Sequence, residues 1–129
     1  MIDITDLIGT KFVNHGRDKR LGFDCYGYAI EISNRFGHKL EDVWYEASTD
    51  DEFSKDYPIV LKKMEKKLSE TDELEEGNLI LFSDENGNMV HIGVLLDDER
   101  FTHCDGGGVK VSFLSSYYRK RWKVYKWLK

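Results

Sequence analysis

The stretch Phe23-Asp24-Cys25-Tyr26-Gly27 stands where an irregular approach, residues 13–22 with glycines at 16 and 22, gives way to helical spacing. Apolar residues recur from there at Cys25, Tyr28, Ala29, Ile32 and Phe36, one face of a helix over about Asp24 to Phe36, and Gly37 reads as its stop. Cys25 therefore falls in a first helical turn. Backbone N–H groups there have no intrahelical partner, and the helix dipole presents partial positive charge. That setting favours the thiolate, the nucleophilic form of cysteine. Free cysteine is also among the most buried residue types, and Asp24 is a good N-cap, so this stretch alone reads first as packing and capping.

A second stretch changes the balance. From Gly77 the apolar period shortens. Leu79-Ile80-Leu81-Phe82 is a strand bounded by turn formers, Asn86-Gly87 a hairpin turn, Val90 to Leu96 a second strand, and Asp97-Asp98 a second turn. Arg100 to Cys104 is a third strand, Gly106-Gly107-Gly108 a flexible turn into Val109 to Phe113, Leu114 to Tyr118 a helical turn, and Trp122 to Trp127 a last strand. His91 and His103 are twelve residues apart across the Asp97-Asp98 turn, so position 91 falls roughly opposite 103 or 104. Cross-strand neighbours lie ~4.5–5.5 Å apart at Cβ, close enough for two imidazoles to touch.

If the Cys25 helix packs on the sheet face that carries both imidazoles, the three side chains form a Cys–His–His set. His91 then pairs with Cys25 as imidazolium and thiolate and protonates the leaving amine of an attacked amide. His103 holds the other ring nitrogen of His91, and a neutral orienter suffices beside a nucleophile that already carries charge. Backbone N–H groups at the helix start are the natural oxyanion donors. A lone histidine is more often a satisfied structural residue, but two at hairpin spacing with a helix-start cysteine fit that reading less well. A zinc site from Cys25, His91, His103 and Cys104 is disfavoured, because 103 and 104 adjoin on one strand and point to opposite faces. No metal or cofactor is expected. His15 and His38 have no evident partners and read as surface residues.

The rest of the chain bounds the picture. Its 129 residues, 40% apolar and 13% aromatic, fit one globular domain spanning 1–129. Nineteen basic against twenty-four acidic residues give a net charge of −5, a poor basis for non-specific nucleic-acid binding. Two cysteines make no disulfide framework. Met1 to Gly9 lacks the features of a secretory signal, and no run approaches the ~18 apolar residues of a membrane span. Synthesis in a cytosol is the expectation. Ile2, Ile4, Leu7 and Ile8 suggest a short helix or an extended arm. Leu40, Val43, Trp44 and Tyr45 read as a partly buried excursion, and Asp50 to Glu52 as a solvated tip. Pro58 opens an amphipathic helix through Ile59, Val60, Met64 and Leu68, with Lys62, Lys63, Lys66 and Lys67 on its solvated side, and an acidic run, Glu70 to Glu76, closes this region. Helices followed by an antiparallel meander argue for an α+β fold with the N-terminal helices packed on the sheet.

These residues together resemble the NlpC/P60 family of cysteine peptidases, which has a papain-like fold. The resemblance rests on Asp24-Cys25-Tyr26-Gly27, Gly77-Asn78-Leu79-Ile80-Leu81-Phe82, His91-Ile92-Gly93-Val94, Phe101-Thr102-His103 and Gly108-Val109. Ile8-Gly9-Thr10-Lys11-Phe12 is similar to the segment that leads into the family's cysteine. It implies Cys25 as nucleophile, His91 as base and His103 as orienter, and gives Asp24 a role in binding a peptide's free amine. Cell-wall members cleave peptidoglycan stem peptides, often after D-glutamate. Tyr26 stands where serine is usual, an aromatic similar to the phage-tail branch, and Phe12 stands where a site tyrosine is common. Residues 38–76 match nothing in the family pattern, and neither a cell-wall-binding repeat nor an export signal accompanies the domain. The implied activity is thiol hydrolysis of a peptide amide, with a stem peptide as substrate and a phage particle or other partner as carrier to the wall. The alternatives are a thiol amidase or acyltransferase on another acyl group, and a non-catalytic phage-tail or binding protein that keeps the fold.

Overall fold

A computed structural model of the chain describes residues 2–42, 66–83, 89–116 and 121–128. A two-stranded hairpin, β1 (Arg17–Asp18) and β2 (Gly22–Phe23), leads directly into α1 (Cys25–Arg35). Strands β3 (Leu68–Thr71), β4 (Leu79–Ser83), β5 (Met89–Leu95), β6 (Arg100–Asp105), β7 (Gly108–Phe113) and β8 (Trp122–Trp127) form one antiparallel sheet in the order β3-β8-β4-β5-β6-β7. A 3₁₀ turn, Leu114–Ser116, follows β7. The fold is α+β, with α1 packed on β5 and β6.

Helix α1 starts and stops where its capping residues dictate. The Asp24 carboxylate accepts from the Gly27 N–H at 2.7 Å. At the other end the N–H of Gly37 reaches Asn34 O at 3.0 Å and that of His38 reaches Ser33 O at 2.9 Å. This is a Schellman closure, and it requires the left-handed Gly37 (φ 85°). The buried side of α1 carries Cys25, Tyr26, Tyr28, Ala29 and Ile32, which join Leu79, Leu81, Ile92, Val94 and Cys104 of the sheet in one core cluster. A second cluster, Ile80, Phe82, Leu95, Phe101, Leu114 and Val124, draws on the alternate residues of the same strands.

Ile4 and Leu7 are buried in an N-terminal arm that forms turns and no α-helix. Arg35 clamps this arm by a two-pronged contact with Asp6, 2.7 Å at each prong. The arm also pairs with the start of β7, Gly9 N–H to Val109 O at 3.0 Å and Val109 N–H to Thr10 O at 2.8 Å.

Two expectations need correction. Leu68 does not continue a helix; it begins β3, where Leu68 to Thr71 pair with Trp127 to Val124. Glu70, the start of the acidic run, is thereby drawn into an edge strand and Glu73 follows just beyond it, beside cations of β8: Glu70 lies 3.6 Å from Lys123 and Glu73 3.7 Å from Lys126. Pairing with a distant strand has overridden a local helical spacing. The last strand also does not extend the meander; β8 lies between β3 and β4. Among the described residues there is one α-helix. The excursion through Val43 to Tyr45, the acidic tip, the helix from Pro58, the Asn86-Gly87 turn and the end of the Leu114 to Tyr118 turn lie outside the described residues.

Gly27 is fixed by crowding: a Cβ there would collide with the Gly16 carbonyl oxygen of the hairpin. Around Gly37 the same atom would meet nothing. Gly27→Ala should therefore cost the ~1–3 kcal/mol of an overpacked site or more. Gly37→Ala should cost about 1 kcal/mol, for the left-handed backbone alone. Urea unfolding of the two variants checks the order, and an equal loss in both would show that the hairpin yields freely.

Candidate active site

Cys25 is the first residue of α1, held there by the Asp24 cap and by the β1–β2 hairpin that delivers it. Asp24 has a second partner that the sequence did not announce: Arg17 Nη1 lies 2.9 Å from the capping oxygen, and Arg17 Nε lies 3.0 Å from Asp42. The Arg17 guanidinium also donates to the Gly16 carbonyl at 2.9 Å and lies 5.9 Å from the Tyr26 ring centre. A cation therefore stands beside the one carboxylate next to the thiol. The signal for it was weak, an arginine seven residues before Asp24 in a segment whose hairpin was not recognised.

The histidines are brought together directly. His91 Nε2 and His103 Nδ1 are 2.7 Å apart, with the two rings nearly perpendicular. The route differs from the expected one. The pairs are Val94↔Thr102 and Leu95↔Phe101, and continuing that register sets His103 against Gly93, so the imidazoles meet on a diagonal. The cause is the turn. Asp97 Oδ1 accepts from the N–H groups of Glu99 and Arg100, and Leu96 N–H reaches Arg100 O, so the loop is longer than two residues. Gly93 keeps the diagonal open; a Cβ there would lie 3.3 Å from that of His103 and 2.9 Å from the Phe101 ring.

Both rings are buried, His91 at 1% exposure and His103 at 0%. Phe82 lies against His91 at 5.9 Å and Phe101 against His103 at 4.5 Å between ring centres. Burial and the neighbouring His91 push the His103 pKa from 6.5 down to about 3, with Lys110 adding to the fall and Asp105 opposing it. His103 is thus neutral near pH 7. On its far side, His103 Nε2 lies 2.9 Å from Ser112 Oγ.

Cys25 is 4% exposed and shares its core cluster with Ile92 and Cys104, the residues that follow His91 and His103. Cys104 turns away from His103: its thiol donates to the Phe23 carbonyl at 3.2 Å. Residues 103 and 104 thus do not ligate one metal together, and among the described residues no three His, Cys, Asp or Glu side chains are grouped to hold one. His15 is exposed, as expected. His38 is not without a partner; its ring stacks on Trp127 at 4.7 Å, nearly parallel. Tyr26, in place of a small residue after the cysteine, is fully buried and its hydroxyl donates to the Glu41 carbonyl. Phe12 is half-buried and bridges to Phe23.

Residues 9–127 match the model of the NlpC/P60 family. The chain belongs to the NlpC/P60 family. Solved structures agree on the fold. An NlpC/P60 family protein from Bacillus cereus ATCC 10987 superposes with a TM-score of 0.65 at 18% identity, over 95% of this chain and 37% of that one. A protein from Staphylococcus aureus subsp. aureus Mu50, described as similar to lipoprotein and of the NLP/P60 family, gives 0.56 at 21% identity, over 87% and 34%. The NlpC/p60 domain of the peptidoglycan hydrolase SagA gives 0.60 at 21% identity, over 92% of this chain and 88% of that domain. The chain thus spans about a third of the length of the first two proteins. No curated protein matches it by sequence.

The depressed His103 pKa has a consequence for stability. An unfolded chain binds a proton on this histidine near 6.5, and the folded protein does so only near 3. The contribution is therefore complete above about 6.5 and is lost as pH falls from there toward 3. His103→Asn should flatten this fall in urea midpoints measured across the window. Parallel profiles for the two proteins would show that His103 is not the group responsible.

Proposed function

We propose that this domain is a thiol hydrolase of peptide amides, a cysteine peptidase acting on peptidoglycan stem peptides, with Cys25 as nucleophile. The observation that carries the reading is the buried 2.7 Å contact between His91 and His103, in the strands on which the Cys25 helix packs. Family membership supports the same reaction class, and the likeness to the SagA domain supports a cell-wall substrate.

In this reading Cys25 Sγ, as thiolate, attacks the amide carbon. The oxyanion is met by backbone N–H at the start of α1, where Gly27 N–H is already engaged by Asp24 and the amide of Cys25 itself is the natural donor. His91, as imidazolium, gives its proton to the leaving amine. The thioester is then hydrolysed by water that His91 deprotonates, releasing the acid and restoring the thiol. His103, neutral, fixes the His91 ring. Asp24 binds the substrate's free amine in the family pattern; here Arg17 already faces it, so that role would require the ammonium to share or displace the guanidinium. The aromatic Tyr26 is the feature similar to phage-tail members, and a phage or prophage setting, with a particle or partner carrying the domain to the wall, is part of this proposal. No helix among the described residues is long and apolar enough to cross a membrane.

The burial of Cys25 and His91 favours a second reading, a covered cleft in a protein that binds without turnover. Incubation with purified stem peptides and mass analysis separates the two. Products summing to substrate plus one water, absent with Cys25→Ala, are expected. A reactive Cys25 that leaves every stem peptide intact would favour an amidase or acyltransferase on another acyl group.

Cys25 should alkylate faster than Cys104 near neutral pH, read by iodoacetamide labelling and peptide mapping, since the Cys104 thiol is fully buried and bound to the Phe23 carbonyl. Equal slow labelling would support the covered cleft. In turnover per folded molecule, His91→Ala should lose the most, His103→Ala roughly 10²–10⁴-fold, and His103→Asn less, because an amide oxygen can still accept from His91. Full activity in folded His103→Ala would leave a Cys25–His91 dyad.

A further inference from the structure

We infer that Ser112 is a positioning residue of this site, its hydroxyl accepting a hydrogen bond from His103 Nε2–H and so presenting His103 Nδ1 to His91 as an acceptor. This rests on the function proposed above. Ser112 sits on β7, opposite Phe101, and its Oγ is 2.9 Å from His103 Nε2. With the His91–His103 contact at 2.7 Å, this makes a continuous chain from His91 through His103 to Ser112.

The direction of that chain follows from the chemistry. An imidazolium donates from both nitrogens, so a charged His91 needs an acceptor opposite Nε2. The facing atom is His103 Nδ1, and His103 is neutral, with one proton and one lone pair. Its proton must then reside on Nε2, and the Ser112 oxygen lies within hydrogen-bond distance there. With the opposite polarity, Ser112 donating to Nε2, the proton of His103 would sit on Nδ1 and point at His91 Nε2. That nitrogen could then carry no proton of its own, and the imidazolium would be lost.

The charged and titratable groups around His103 do not replace this contact. His91 is its partner across the diagonal. Lys110, paired with His103 in register, is turned to Asp105, Nζ to Oδ1 at 2.8 Å. In the sequence Ser112 is only a small polar residue between two apolar ones, Val111 and Phe113, both exposed on an edge strand.

The test uses the full chain labelled with ¹⁵N, and long-range ¹H–¹⁵N spectra that report which imidazole nitrogen of His103 is protonated. Wild type and Ser112→Thr should show His103 protonated on Nε2 near pH 7. Ser112→Ala should show a mixture of tautomers. Its Cys25 alkylation profile should move to higher pH, and its turnover per folded molecule should fall by roughly 10–100-fold, the size of loss that follows removal of the outer partner of a metal-bound imidazole. Protonation of His103 on Nδ1 in the wild type overturns the inference whether or not the alanine variant folds. An unchanged tautomer and profile in folded Ser112→Ala, with the wild type cleaving peptide, overturns it and leaves the hydrolase reading intact. The expected tautomer response in a wild type that cleaves no peptide keeps the Ser112 assignment and removes the hydrolase.

Discussion

The carboxylate of Asp24 holds together the pieces on which the thiol's position depends. It caps α1 through Gly27 N–H, and it pairs with Arg17 from the hairpin, which in turn reaches Asp42 beyond the helix. A cap and an ion pair thus converge on one buried oxygen, so the helix start and the hairpin are tied to the same atom. The geometry works because two glycines face each other: only without a Cβ at Gly27 can the Gly16 carbonyl come so close to the first turn. The arginine matters electrostatically as well. In the proposed mechanism a carboxylate next to a thiolate would oppose its formation, and the Arg17 guanidinium, 2.9 Å from Asp24, counters that charge.

The histidine half of the site is built on a different principle. It lies in strands whose alternate residues feed two separate clusters, and the imidazoles take places among the rings of Phe82 and Phe101. Two buried imidazoles would be costly if either were left charged and unpaired. The structure answers by keeping His103 neutral and chaining it to partners at both nitrogens. The surroundings that exclude water thus favour the neutral ring that the role proposed for His103 would need.

Much of this was legible in the sequence where local chemistry decides. Asp24 as a cap, the first-turn cysteine, Gly37 as the stop and the strands read at 79–82, 90–96 and 100–104, found at 79–83, 89–95 and 100–105, all follow from spacing and capping rules. The hairpin brought His91 and His103 together although its register was off, because a strand period of two leaves a diagonal neighbour on the same face. Three things were not legible, for one physical reason: each is set by which strands pair and not by local spacing or capping. Leu68 became a strand because β8 needed a partner. Arg17 found Asp24 through a hairpin closed by Gly16 and Gly22. Ser112 acquired a partner because β7 pairs beside His103.

The cysteine half and the histidine half sit on different elements, so something must fix one against the other. Apolar packing between α1 and the sheet supplies cohesion, but it is tolerant of small slides. A polar link inside it is not. The Tyr28 hydroxyl and Thr102 Oγ1 are 2.7 Å apart, and Thr102 Oγ1 donates onward to the Lys110 carbonyl at 3.1 Å. Since the Thr102 proton goes to that carbonyl, Tyr28 is the donor in the first step, and both hydroxyls are satisfied. Tyr28 lies one helical turn after Cys25, and Thr102 immediately precedes His103. Sliding α1 along β6 would break the first bond and leave the buried Tyr28 hydroxyl without its acceptor, at a cost of about 1–3 kcal/mol, while Thr102 keeps its bond to the Lys110 carbonyl. Leucine and valine at these two places would hold the helix down as firmly, yet they would not select one position along the strand. The buried pair therefore serves registration more than adhesion, placing the first turn of α1 at a fixed height relative to the strand that carries His103.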